Sequence, residues 1–429
     1  MVKLALLFPG QGSQYVGMGK RDYEAFAISR QTFEEANDTL GLNLRELCFN
    51  GTFTELTRTE NAQPAILTMS MAAFRVLRQE LGVTPSCVAG HSLGEITALT
   101  AAGAIQFRDA LTIVRRRGQL MQEAAGLYPG TMLAVQGIER CVIESTCQKF
   151  CSGDQLVVIA NYNAPNQIVI SGHHGAVAQV AEALNNYGAE LTPLKVSAAF
   201  HSPLMQSAAG KIASELQKYR YQEPSWPVIA NLTGQIYPGK NAITEYLRLQ
   251  IIQPVRWIET MEFLAASQIT TVIEVGPQTV LRNLTIRNIP SLQAYSVDDR
   301  KDRETIQKLF KVPDGLATEY EHTVVTKCIQ IAICTRNRNW DNDEYQRGVT
   351  EPYRQILQLQ TQIEQERRTP NRQEMEQALK MLVSVFKTKR VPVEEQRERF
   401  EELFSMVGVG AEFADLIKDI GIGSTLSTA

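Results

Sequence analysis

The run Cys87-Val88-Ala89-Gly90-His91-Ser92-Leu93-Gly94-Glu95 constrains this chain more than any other stretch. An apolar strand, a glycine-flanked serine and an Ala-rich helix through Ala104 follow one another directly. Gly90-His91-Ser92-Leu93-Gly94 fits G-x-S-x-G, in which small flanking residues permit a sharp strand-to-helix turn with the serine Oγ exposed at its apex. Ser92 is therefore the candidate nucleophile. The Leu93 N–H, at the positive end of the helix that follows, is aimed toward an oxyanion formed on the attacked carbonyl.

The first 300 residues carry the same grain: short apolar strands alternate with longer helices, which signals an α/β class. The alternation begins with a buried strand at Leu4 to Phe8 and a Gly-rich turn at Pro9 to Ser13, and a helix is expected near Pro64 to Glu80. From about Thr131 to Pro193 two strand-like runs, Met132 to Val135 and Gln167 to Ile170, alternate with helical stretches at Arg140 to Cys151 and His174 to Tyr187. That predicts a small α+β insertion. The main domain is expected to resume at Lys195 and to supply a last strand, Thr271 to Val275, before Gly276-Pro277.

A chain of 429 residues is too long for one ordinary domain. Beyond about Asp298 the composition shifts, with about 40 of the last 129 residues charged against about 49 of the first 300. Three stripes recur there at helical spacing: Ile356, Leu359 and Ile363; Met375, Leu379, Leu382, Val383 and Phe386; and Phe400, Leu403, Phe404 and Val407. The expected division is a core at 1–130 and 194–298, an inserted subdomain at 131–193 and a mainly helical extension at 299–429.

A net charge of -3 offers no broad basic field for nucleic acid. The seven cysteines form no CxxC pair, and an odd total argues for reduced thiols rather than a disulfide framework. Lys3 to Phe8 is too short for a signal segment, and no run approaches the roughly 18 apolar residues of a membrane span. A cytoplasmic protein is expected.

A serine nucleophile needs a base, and there are five histidines. His91 leaves the turn in a different direction from Ser92, His173 and His174 follow Ser171-Gly172 in a surface turn, and His322 lies in the charged tail. His201, ahead of Ser202-Pro203, is the best remaining candidate. The turn Pro9-Gly10-Gln11-Gly12-Ser13 ends the first strand and could bring the Gln11 N–H to the same sheet edge; it lacks the spacing of a phosphate-binding loop. Arg115-Arg116-Arg117 sits on a helical run where neighbours point about 100° apart, so at most one or two can face a pocket. The spacing does not choose among the three.

Together these positions resemble the malonyl-CoA:acyl carrier protein transacylase family, and more closely its trans-acting members that serve polyketide or hybrid peptide-polyketide synthases. The resemblance covers about residues 1 to 290 and rests on an ordered series of matches. They are Phe8 through Gln14, Gln63-Pro64-Ala65, Gly90 through Glu95, Arg117-Gly118 with Met121, Asn161 and Asn163 before Gln167, Phe200-His201-Ser202, Gln250 ahead of Pro254-Val255, and Glu274 through Pro277. It implies an α/β-hydrolase-like core with an inserted ferredoxin-like subdomain. By the same resemblance Ser92 is the nucleophile, His201 its base, Gln11 and Leu93 the oxyanion-hole amides, and Gln250 the residue whose backbone carbonyl orients His201. Arg117 would receive the malonyl carboxylate, and Gln63, Phe200 and Asn163 would line the substrate pocket.

The implied reaction takes malonyl-CoA as substrate and needs no bound cofactor or metal. The implied partner is an acyl carrier protein bearing phosphopantetheine, with no nucleic acid or membrane involved and the chain a monomer. Leu93 and Ala199-Phe200-His201 resemble malonyl-selecting rather than methylmalonyl-selecting members, and Phe200 would crowd an added methyl. The alternative is an editing acyl hydrolase of the same family. Its neutral acyl substrate would leave a buried Arg117 unpaired.

Overall fold

The computed structural model describes residues 3–310 apart from 195 and 197, and, in the tail, 323–407 apart from 336, 340 and 367, together with 413. Lys195, where the main domain was expected to resume, and His322 lie outside the described residues. Among the described residues ten strands follow in chain order: β1 Leu4–Phe8, β2 Cys87–Gly90, β3 Thr131–Gln136, β4 Val157–Ala164, β5 Gln167–Gly172, β6 Glu190–Pro193, β7 Val228–Ile229, β8 Val255–Arg256, β9 Thr271–Glu274 and β10 Gln293–Ser296.

The chain divides into two compact units, Met1–Phe310 and Lys311–Ala429. In the first, one sheet has the order β10-β9-β1-β2-β7 with every neighbouring pair parallel. Parallel sheets are covered on both faces, which is why β1, β2 and β9 are buried along their whole length, with Thr271 and Glu274 of β9 the polar residues among them. Side chains alternate between two cores. Leu4, Leu6 and Phe8 pack with residues of the Thr59–Leu81, Leu93–Ala101 and Phe107–Leu127 helices. Ala5 and Leu7 pack instead with Trp257, Met261 and Leu264 of the Trp257–Ala266 helix and with Leu281 and Leu284 of the Val280–Asn288 helix.

The insertion runs β3, helix Arg140–Phe150, β4, β5, helix His174–Asn185, β6, and its strands pair in the order β6-β3-β5-β4 with antiparallel neighbours. This is a ferredoxin-like arrangement with its own core of Val135, Ile143, Ile168, Ile170 and Val180. β8 adds a fifth, parallel strand beside β4, pairing Val255 with Asn161. Within the insertion two strands escaped the sequence reading, as did β7, β8 and, beyond the strand expected to be last, β10. β4 carries Asn161 and Asn163 and two register irregularities, so no clean alternation marks it. β6 is a short edge strand ending in Pro193, which a sheet tolerates only at an edge.

The first unit extends past the composition shift at Asp298 through the Arg300–Phe310 helix. Asp302 of that helix accepts from Arg282 Nη1 at 2.6 Å and from the Ser296 N–H at 2.9 Å. The second unit is helical, with Val324–Cys334, Glu351–Glu366, Arg372–Thr388 and Val393–Val407 as its longer helices. Leu379, Leu382, Phe386, Ile356, Ile363, Phe400 and Leu403 meet in one core there, so the stripes read from the sequence bury against one another. Asn371 and Glu374 close a reciprocal cap on the Arg372–Thr388 helix. Among the described residues no helix is long and apolar enough to cross a membrane.

Candidate active site

The elbow forms where β2 ends and the Leu93–Ala101 helix begins. Ser92 sits at φ 52°, ψ -107°, a conformation that L residues adopt only when their surroundings enforce it. The enforcement is steric and polar. A Cβ on Gly90 would lie 1.8 Å from the Gly94 carbonyl oxygen, and one on Gly94 would lie 1.9 Å from that of Phe8, so neither position admits a side chain. Asn231, just beyond β7, accepts from the Ser92 N–H at 2.7 Å and donates to the Gly90 carbonyl at 2.7 Å, bridging the turn. The amides of Gly94 and Glu95 turn back to the carbonyls of His91 and Ser92, while that of Leu93 opens the helix, where no intrahelical acceptor exists.

The structure brings His201 to this turn from 109 positions away: its Nε2 lies 2.8 Å from Ser92 Oγ. His201 Nδ1 is 2.8 Å from the main-chain carbonyl of Gln250, an obligatory acceptor, so Nδ1 carries the proton and Nε2 is free to accept from the serine. Burial and, next, the Arg117 charge pull the imidazole down to about 3, leaving it neutral at physiological pH. His91 takes another direction, with its Nε2 2.9 Å from Asn163 Oδ1 and its ring 5.4 Å from that of Trp257.

Helix phase separates the three arginines. Arg115 bonds the Glu60 carbonyl and Asn61 Oδ1, and Arg116 reaches Gln119 and Glu123 on the half-exposed side. Arg117 is 2% exposed and points inward. Its Nη2 donates to Ser92 Oγ at 3.2 Å and to Gln250 Oε1 at 3.0 Å, its Nη1 to Gln63 Oε1 at 2.9 Å, and its Nε is buried with no partner. Burial lowers this guanidinium to about 10, which still leaves it cationic at neutral pH.

Gln63, Arg117, Ser92, His201 and Gln250 thus form one network. Gln11 lies at the end of β1, in a turn beside the elbow, where the His91 N–H donates to Phe8 O at 3.0 Å; its side chain reaches Thr59 Oγ1 at 3.4 Å. Phe200 is buried next to His201. Asn163 stands apart from the network, on β4, engaged with His91 and Gln167. Sequence reasoning missed Asn231, Tyr237 and the part played by Glu95, which accepts from the Tyr237 hydroxyl and from Gln250 Nε2. Glu95 stands inside the motif itself, but nothing in the spacing brings Asn231 or Tyr237 to it.

A neutral imidazole on a serine hydroxyl, with a buried cation beside both, is the equipment of an enzyme that moves an acidic acyl group. The chain belongs to the acyl transferase domain family, whose sequence profile matches residues 5–324. It is 37% identical over 396 residues to a malonyl CoA-acyl carrier protein transacylase of Bacillus subtilis, covering 92% of this chain and 99% of that protein. The enzyme of the same name from Escherichia coli K12 is 40% identical over 300 residues, 70% of this chain and 97% of its own. Among solved structures, the malonyl-CoA:acyl carrier protein transacylase of Xanthomonas oryzae matches with a TM-score of 0.70 at 37% identity, over 73% of this chain and 100% of that one. A malonyl transacylase solved in complex with a type II polyketide synthase acyl carrier protein matches with a TM-score of 0.69 at 39% identity, over 72% and 99%.

Proposed function

We propose that this acyltransferase carries malonyl from coenzyme A to the phosphopantetheine thiol of an acyl carrier protein through an ester on Ser92. His201 Nε2 takes the serine proton as Oγ attacks the thioester carbonyl, and the Leu93 and Gln11 amides receive the oxyanion. Collapse breaks the C–S bond, and coenzyme A leaves with the proton from His201. The carrier-protein thiol then gives its proton to His201, attacks the malonyl-serine ester, and Ser92 regains its hydrogen. Gln250 holds the His201 ring through its carbonyl, in the place a carboxylate takes in many hydrolases. Gln63 braces the Arg117 fork, Phe200 walls the acyl side, and Asn163 acts through His91, whose ring nitrogen it meets at 2.9 Å.

The observation that carries the reading is Arg117 Nη2 at 3.2 Å from the serine oxygen. A diacid esterified on that oxygen has a free carboxylate within reach of the fork, whereas a neutral acyl group leaves a buried guanidinium unanswered. Extender supply to a polyketide, hybrid or fatty acid synthase fits the relatives. A cytoplasmic setting is supported by coenzyme A chemistry and by the free thiols of Cys48, Cys87 and Cys147. The separate cores support a division into 1–130 with 194–298, 131–193 and a helical extension, with the start of the extension moved from 299 to 311 because Ile306 of the Arg300–Phe310 helix packs in the core of the first unit.

The test is transfer from malonyl-CoA or acetyl-CoA to a holo acyl carrier protein, read by mass spectrometry of the carrier. Malonyl is expected to be transferred much faster than acetyl. Arg117→Ala should cut malonyl transfer about 100-fold, the worth of about 3 kcal/mol of charge-assisted hydrogen bonding, and narrow the gap to acetyl. Equal rates for both donors in the wild type, or rapid release of free acid in place of transfer, would point to the hydrolase instead.

A further inference from the structure

The acyl-transfer reading leaves the buried charge beside Gln250 without a task. Glu95, in the first turn of the Leu93–Ala101 helix, is fully buried and faces donors: the Tyr237 hydroxyl on Oε1, Gln250 Nε2 on Oε2 at 2.6 Å, and the Asn231 backbone N–H. A guanidinium only donates and a main-chain carbonyl only accepts, so the Gln250 amide has a single orientation. Its Oε1 takes Arg117 Nη2 at 3.0 Å, and its Nε2 goes to the Ser92 carbonyl at 2.8 Å and to Glu95. The same glutamine presents its main-chain carbonyl to His201 Nδ1. Opposite charges therefore hold the two ends of one side chain whose backbone aims the imidazole. The Glu95 charge reaches Arg117 through this amide and also through space.

The geometry points to Glu95 as a positioning residue for acyl transfer: its carboxylate anchors the Gln250 amide, which sets the His201 ring and the Arg117 fork, and it is the resident counter-charge that an acyl carboxylate meets at Arg117. The inference rests on the acyl-transfer reading and deepens it. Two effects of opposite sense follow. Neutralising Glu95 loosens Gln250 and with it the imidazole, which slows attack on any acyl group. It also removes a negative charge facing the guanidinium, so an acyl group with a carboxylate binds more tightly while a neutral one is indifferent. A side chain that only fills space produces neither split.

The experiment follows ester formation on Ser92 in the full chain by rapid quench and mass spectrometry, against malonyl-CoA and acetyl-CoA concentration, for wild type and Glu95→Gln. The saturating rate should fall about tenfold or more for both donors. The half-saturating malonyl-CoA concentration should drop severalfold, and that of acetyl-CoA should stay put. Unchanged parameters, or a lower rate with no drop in the malonyl-CoA value, overturn the inference. If Glu95→Gln does not fold, Tyr237→Phe removes one donor and keeps the charge. It should lower the saturating rate for both donors by a smaller factor, leave the half-saturating malonyl-CoA concentration in place, and raise the pH below which the rate falls, because the Tyr237 hydroxyl holds the Glu95 carboxyl down; an unchanged rate and pH profile there overturn the inference equally. A wild type that forms no ester with either donor sinks the acyl-transfer reading itself; an ester in wild type with an identical Glu95→Gln sinks this inference alone.

Discussion

Two titratable side chains beside Ser92 are pushed in opposite directions by the same burial. His201 falls to about 3, helped by the Arg117 charge, while Glu95 rises to about 7 against the pull of its donors from Tyr237, Gln250 and Asn231 and of the Arg117 charge. The imidazole is therefore already neutral across the range where Glu95 takes up its proton. Protonation below about pH 7 removes the charge that holds the Gln250 amide, so the rate of Ser92 ester formation should fall as pH drops through that value. In Glu95→Gln that limb should be absent. A limb near pH 7 that persists in the variant would belong to His201 and contradict the assignment. The serine and its neighbours were legible in the sequence because the motif is local. The choice of Arg117 over Arg115 and Arg116 was not, because it depends on which helix face meets Gln63.

The elbow is the element whose geometry most depends on what is missing from its side chains. A Cβ on Gly94 would meet the Phe8 carbonyl oxygen at 1.9 Å, and backbone on both sides of that contact belongs to β1 and the nucleating helix turn. Gly94→Ala should cost about 1–3 kcal/mol, seen as a melting temperature lower by several degrees, and should suppress ester formation. Gly126→Ala, in the Phe107–Leu127 helix with nothing within 4 Å of the new methyl, should leave both unchanged or raise the melting temperature slightly. An elbow that tolerates Ala at Gly94 with full activity would contradict this packing. Elements marked by continuous apolar runs, such as β1 and β2, were readable in advance. β4, interrupted by two asparagines, and β6, exposed and closed by a proline, were not, because edge and bulged strands are defined by their partners rather than by their own pattern.

Across the whole molecule the site is a problem of long-range assembly. Gln11, Gln63, Ser92, Arg117, His201, Asn231 and Gln250 come from seven segments: Gln11, Ser92 and Asn231 follow the C-terminal ends of β1, β2 and β7, and three helices and a loop supply the other four. No spacing rule reports that Nε2 of residue 201 will stand 2.8 Å from Oγ of residue 92; elimination among five histidines and the resemblance to a family nominate the pair, and the fold alone brings it together. The helical unit from 311 onward has a core of its own, and its stripes are spent on that core. The central claim, that these distant stretches build one pocket for a diacid on Ser92, is tested most directly by intact mass after mixing the chain with malonyl-CoA. A single malonyl adduct mapping to Ser92 is expected in the wild type, sharply slowed in His201→Ala and absent in Ser92→Ala. An adduct of undiminished yield in Ser92→Ala would contradict the account.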